Sequence, residues 1–176
     1  QSPILIIVPP SIIQKWRDEC RIWCGERVSI ASYSNGKLTM DGRINILSHG
    51  QCKGSLPRSL PKIGLLIVDA AHHFRNELTQ SSKIVSELCK SSEIRLILTA
   101  TPIQNTVGDL VTITNLILPK FTREVIQAIV GQALGMNESS LFRPIMTRCT
   151  PTTNAATRVV NEHLVDMNDE ERSFVF

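Results

Sequence analysis

Two uninterrupted apolar runs limit what this chain can fold into. They are "PILIIVPP" at 3–10 and "IGLLIVD" at 63–69. A strand with one wetted face alternates apolar and polar residues, and these runs do not. Each therefore predicts a strand buried on both faces, as in a parallel sheet covered by helices. "RVSIASY", ended by Asn35-Gly36, "INILS" and "IRLILT" predict three more strands. Helical patterns fall between them. "SIIQKWRDECRIWCG" offers Ser11 as cap with Gln14 completing a capping box, and Gly25 as its stop. Ile12, Ile13, Trp16, Cys20, Trp23 and Cys24 recur on one face of that helix. "LTQSSKIVSELCKS" turns Ile84, Val85, Leu88 and Cys89 inward, and "VGDLVTITNLIL" is closed by Pro119. "GQCKGSLPRSLPK" is a loop. Alternating strands and helices predict an α/β fold with a mostly parallel sheet flanked by helices.

The pattern weakens after Pro119, dividing the chain into a core at 1–119 and an extension at 120–176. "FTREVIQAIVGQALG" predicts a helix with Phe121, Val125, Ile129 and Val130 as its apolar residues. A short helix in "NESSLFRPIMTRC", a loop at "PTTNAAT" and a strand at "RVVNEHLVDM" follow. "NDEERSFVF" opens like a helix, with Asn168 as cap and Glu171 three residues on, and the chain stops inside it. That ending suggests a segment of a longer protein.

Composition excludes the classes that need no packed core. At 42% hydrophobic and 20% charged, the 176 residues are neither disordered nor of a membrane type. No run is long and apolar enough to cross a bilayer, and "QSPILIIVPP" lacks the basic start of a signal peptide. A net charge of +3 neither argues for nor opposes nucleic-acid binding. The five cysteines, at 20, 24, 52, 89 and 149, have no C-x-x-C pairing. They read as reduced core thiols of an intracellular protein, with Cys20 and Cys24 half of a zinc site at most.

Ligands of parallel sheets bind beyond the carboxyl ends of the strands. Three of the expected ends carry chemistry: "VPPS", "VDAAHH" and "LTATPIQN". An aspartate closing a buried strand is how nucleotide hydrolases hold Mg²⁺, which needs a fixed hard oxygen beside the phosphates. Asp69 fits that role, and it equally fits a strand-end aspartate that caps a turn. His72 and His73 follow it. Thr99 and Thr101 flank Ala100 before Pro102, where the chain must leave its strand. Their hydroxyls can reach the Asp-His segment and a neighbouring loop.

Together these stretches resemble the N-terminal RecA-like lobe of the Swi/Snf-type helicase-like ATPases of helicase superfamily two. "ILIIVPPSIIQKW" looks like their motif Ia, "INILSHGQ" like motif Ib, "LLIVDAAHHFRN" like motif II, and "LTATPIQNTVGDLVTITNLILP" like motif III. "LFRPIMTRCT" is similar to a later segment that commonly reads Leu-Arg-Pro-Phe-x-Leu-Arg-Arg-Thr-Lys. The resemblance is weakest at 120–140. It implies that Asp69 holds Mg²⁺ through water and that His72 links the nucleotide site to motif III. Thr99, Thr101 and Gln104 would couple that site to the nucleic-acid track. Ser11, Gln14 and Lys15, with Ser48 and His49, would lie near the DNA backbone and contact phosphates without reading sequence. Trp16 and Trp23 would stack on bases or, as their helical spacing favours, pack in the core.

The departures are as informative. No G-x-x-x-x-G-K-S/T phosphate loop occurs in the chain; in the family it precedes motif Ia, on a central strand. The expected lobe is therefore incomplete. Ala70 stands where the family has the glutamate that activates the attacking water, which lowers hydrolysis by about two to four orders of magnitude. Cys149 and Pro151 replace an arginine and a lysine of the later segment. The second RecA-like lobe, with its arginine finger, has no counterpart in the chain.

Three readings follow. The chain is part of a DNA-dependent ATPase that remodels chromatin or other protein–DNA complexes, silent by itself and binding no nucleotide alone. ATP, Mg²⁺, duplex DNA or nucleosomes and a second lobe are expected of the whole protein, in the nucleus. Alternatively it is a pseudo-ATPase scaffold that binds DNA or protein without hydrolysis. The third reading is a plain α/β binding module.

Overall fold

A computed structural model describes residues 2–25, 28–103 and 106–135. The two apolar runs form the centre of its sheet. Strand β1 (Ile4–Val8) lies between β5 (Ile44–Ser48) and β6 (Ile63–Val68), parallel to both. Ile4 sits level with Ile44 on one side and Leu65 on the other. Strand β2 (Val28–Ile30) adds outside β5, and β7 (Ser92–Ile97) outside β6, again parallel. The five strands run in the order β2-β5-β1-β6-β7.

Side chains of β1 divide between two cores, as a doubly covered strand requires. Leu5 and Ile7 join Leu47, Leu66 and Val68 beneath helices α2 (Gln80–Ser91) and α3 (Val107–Ile117). Ile4, Ile6 and Val8 join Ile44 and Ile46 beneath helix α1 (Ile13–Cys24). Helix α2 seats Ile84, Val85, Leu88 and Cys89, all fully buried, as its spacing predicts. Each such aliphatic side chain contributes about 2 kcal/mol by leaving water. The Thr79 side chain caps α2 by accepting from Ser82 N–H. Arg95, on β7, closes the far ends of α2 and α3 by donating to the carbonyls of Cys89 and Ile117.

Cover is unequal on the α1 side of the sheet. The cluster under α1 takes in β1, β5 and Ile67 of β6. Beyond it, Ile94 and Leu96 of β7 remain 62% and 46% exposed. The outer edge of β7 has no partner strand among the described residues.

Four local expectations are corrected. "RVSIASY" breaks at Ala31 into β2 and β3 (Ser32–Ser34), and β3 pairs antiparallel with β4 (Lys37–Thr39), which has no strong apolar signal. Asn35 and Gly36 both take positive φ between them, as a tight hairpin turn of this kind demands. The capping box at Ser11 and Gln14 does not form. A 3-10 turn at Pro10–Ile12 leads into α1, Ser11 makes no side-chain cap, and Gln14 donates to Asp18. Trp23 and Cys24 are exposed in the last turn of α1, where Trp23 donates to Glu19 of its own helix. In helix α4 (Arg123–Gly135), Phe121 just before it and Val125 are about half exposed, while Ile126 takes the buried position beside Val130. Gly25 does end α1 in the left-handed conformation. Gln104 and the elements expected after 135, including "LFRPIMTRCT", lie outside the described residues. Among the described residues no helix is long and apolar enough to cross a membrane.

Candidate nucleotide and metal site

The parallel sheet brings the carboxyl ends of β1, β5, β6 and β7 to one side, and backbone bonds lock the loops that follow. Asp69 N–H donates to the Ile7 carbonyl, Leu98 N–H to the Val68 carbonyl, and Ala71 N–H to the Leu98 carbonyl. The segment after β6 is thereby stitched between β1 and the chain leaving β7. The expectation that these two loops lie side by side is met at the backbone and at one side-chain contact. Thr99 Oγ1 stands 3.4 Å from His72 Nδ1 and accepts from Thr101 N–H at 3.2 Å.

Asp69 is held from three directions. Its Oδ1 accepts from Ala70 N–H at 2.7 Å. Its Oδ2 accepts from the Trp16 indole N–H, reaching across from α1, at 2.9 Å. Its main-chain carbonyl accepts from His49 Nε2 at 2.9 Å, from the turn after β5. The carboxylate is half-buried and keeps one lone-pair direction on each oxygen. Ala70 bends the chain there with φ 52° and ψ 45°, a left-handed conformation that costs a residue with Cβ about 1 kcal/mol. A 3-10 turn, Ala71–Phe74, then buries Ala71 and Phe74 and brings the three imidazoles together. His49 packs edge-on against Phe74 and His73, with ring centres 4.7 Å and 5.4 Å away, and His73 lies beside His72.

Two imidazoles are tuned by these surroundings. Burial pushes His49 down to about 4, against the opposing pull of the Asp69 carbonyl it donates to. Burial also lowers His72, helped by neighbouring His73 and Arg75. Both are neutral at pH 7, so each can pass or accept a hydrogen bond without adding positive charge beside Asp69.

The other expected residues are distributed as follows. Ser11, Gln14 and Lys15 are exposed at the start of α1. Ser48 closes β5, and its N–H donates to the Gln51 side chain. His49 is turned inward onto Asp69 and Phe74 rather than outward into solvent. Thr101 is exposed. The residue whose position the sequence conceals is Trp16. Its apolar spacing accounts for its packing against the cluster under α1 but not for the hydrogen bond at the indole edge.

The chemistry of the donor set suits Mg²⁺ rather than a soft metal. Mg²⁺ binds through one or two carboxylates together with phosphate oxygens and water, and Asp69 offers one fixed carboxylate with free lone pairs. Among the described residues no three His, Cys, Asp or Glu side chains converge as a metal cage. The residues present thus fit the metal. The triphosphate itself would need the glycine-rich loop that this sequence does not contain.

Comparison with known proteins agrees with this architecture. A family model for the SNF2-related domain matches residues 1–128. The chain is 28% identical over 145 residues to the Drosophila melanogaster SWI/SNF-related matrix-associated actin-dependent regulator of chromatin subfamily A containing DEAD/H box 1 homolog. That match covers 73% of this chain and 17% of the relative. It is 35% identical over 138 residues to DNA repair protein RAD5 of Candida glabrata, covering 60% of this chain and 12% of that one. Among solved structures it resembles the Sulfolobus solfataricus SWI2/SNF2 ATPase core in complex with dsDNA. The TM-score is 0.58 at 22% identity, over 82% of this chain and 31% of that one. A parallel α/β sheet with an acidic strand end and a threonine-bearing neighbour loop is the RecA-like class of lobe. The chain belongs to the SNF2-related family of that class. It spans less than a fifth of the length of these curated relatives.

Proposed function

We propose that this chain is the nucleotide-metal half of the first RecA-like lobe in a DNA-dependent ATPase that works on chromatin or other protein–DNA complexes. The observation that carries the reading is the triple fixing of Asp69 beside the His72–Thr99 contact. Ordinary strand-end aspartates cap their own turns, whereas this carboxylate is gripped from α1 as well as from its own loop. Bound Mg²⁺ would neutralise phosphate charge during phosphoryl transfer. Asp69 would hold it, directly or through water. His72 and Thr99 form a neutral relay between the loop of Asp69 and the loop of Thr101, with Gln104 following in sequence. Ser11, Gln14 and Lys15 present an amide, a hydroxyl and an ammonium on one exposed helix start, groups suited to phosphates of duplex DNA. Ser48 serves the same end of the sheet, and His49 braces Asp69. In the whole protein we expect a phosphate loop, a second lobe, ATP as cofactor, nucleosomal or other duplex DNA as partner, and a nuclear location. Residues 1–119 form the working core of this segment and 120–176 its extension toward the second lobe.

Ala70 favours a second reading, a scaffold that binds DNA or protein without turnover. The methyl group at this position accepts no proton from water. The two readings separate in one experiment on the full-length protein: DNA-stimulated phosphate release, with and without Ala70→Glu. Release that appears only with Ala70→Glu identifies a motor frame that has lost its base and supports the scaffold as its present state. Release by the unaltered protein supports a working motor. Silence from both forms removes the motor reading.

A further inference from the structure

The mechanism above gives Asp69 a role and leaves Trp16 as a core residue of α1. The hydrogen bond from its indole to Asp69 Oδ2 reaches over 53 residues of sequence and joins two elements that do not follow one another. Trp16 packs, partly buried, against the cluster of Ile6, Val8, Cys20, Ile44 and Ile46, so the ring is seated on the sheet where it donates. Its N–H is the only polar group the ring has, and it is spent on the carboxylate. With Ala70 N–H on the other oxygen, the carboxylate cannot rotate without breaking one bond or the other. Trp23 makes the contrast. It is 80% exposed and donates to Glu19 on its own helix, a local contact that fixes nothing beyond α1.

From this geometry we infer that Trp16 is a positioning residue for the metal-holding carboxylate, setting its rotation and tying it to α1, the helix that carries Gln14 and Lys15 and follows the turn of Ser11. The inference rests on the motor reading for the metal, and it goes further by naming the group that orients the ligand. A carboxylate held at both oxygens meets Mg²⁺ with little loss of rotational freedom. Without the indole donor, it is held at one oxygen only. A shift of α1 would also pull on the carboxylate, because the indole bond ties the two elements together.

The chain contains only two tryptophans, which makes the bond observable. In the chain carrying Trp23→Phe, a single indole N–H resonance remains, that of Trp16. Adding Asp69→Asn is expected to move it upfield by several tenths of a part per million, as a charged acceptor becomes neutral. An unmoved resonance overturns the inference and leaves the motor reading standing. In the full-length protein, binding of a fluorescent ADP analogue is then titrated with Mg²⁺. Trp16→Phe is expected to raise the Mg²⁺ needed for half-saturation about fivefold and to leave metal-free nucleotide affinity unchanged. Replacing the Trp16 indole by its benzothiophene isostere, which keeps the shape and removes the N–H, is expected to do the same. That variant separates the bond from the packing should Trp16→Phe fold poorly. An isostere that titrates like the unaltered protein overturns the inference alone. Nucleotide binding that ignores Mg²⁺ in the unaltered protein overturns the motor reading and the inference with it.

Discussion

At the scale of single residues, His49 shows how position outweighs residue type. A histidine beside a strand end is ordinarily solvated. Here it is pressed against Phe74 and donates to Asp69, and burial holds it at about 4 rather than 6.5. The folded state therefore refuses a proton that the unfolded chain accepts. Its contribution to stability is intact above about pH 6.5 and is lost as the pH falls toward 4. Allowing for solvent screening of a partly exposed ring, the loss between pH 7 and pH 5 is about 1 kcal/mol. Urea unfolding at the two pH values measures it. His49→Gln keeps a donor for the Asp69 carbonyl and is expected to flatten that part of the slope. A slope identical in both forms would show that the proton goes elsewhere.

At the scale of elements, the two central strands were legible because their apolar runs are unbroken, although of the two only β1 is buried almost throughout. "ILIIV" and "IGLLIV" could hardly be anything else, and the spacing of α2 predicts four of its five buried residues, the fifth being Ser82. Legibility failed where the partner surface, rather than the helix, decides burial. Trp23 shares the spacing of Cys20 yet is exposed and bonds Glu19 of its own helix, and Val125 yields to Ile126 because α4 turns a different stripe onto α3. The candidate site was legible as a set of strand ends and not as a network. Nothing in the spacing of Trp16, His49 and Asp69 says that they touch. The edge strand β7 carries a prediction of its own. Ile94 and Leu96 lie exposed on a strand whose outer edge is unpaired among the described residues, a combination that invites pairing between chains. The isolated chain is expected to self-associate with rising concentration in sedimentation runs. The double change Ile94→Lys and Leu96→Lys is expected to suppress this at a cost of no more than about 1 kcal/mol in stability, since exposed positions contribute little. Association that persists in the double variant would place the sticky surface elsewhere.

At the scale of the whole molecule, the sheet has one end for chemistry and two faces with different duties. The α2–α3 face holds the larger buried cluster; the α1 face carries the residues proposed to meet DNA. If duplex DNA lies along the start of α1, the Lys15 ammonium releases about one counterion on binding. Lys15→Ala should then lower affinity about equally for unrelated duplex sequences and flatten the plot of log affinity against log salt by about one. Fluorescence anisotropy with two duplexes of different sequence is the measurement. A loss confined to one sequence would argue against a backbone contact.

The left-handed turn at Ala70 has one last implication. The bend is fixed by main-chain bonds on either side, from Asp69 to Ile7 and from Ala71 to Leu98, not by the methyl group itself. The shape of the turn thus does not depend on which side chain position 70 carries. A glutamate placed at position 70 would enter a bend that the main chain already holds, with no loop to rebuild.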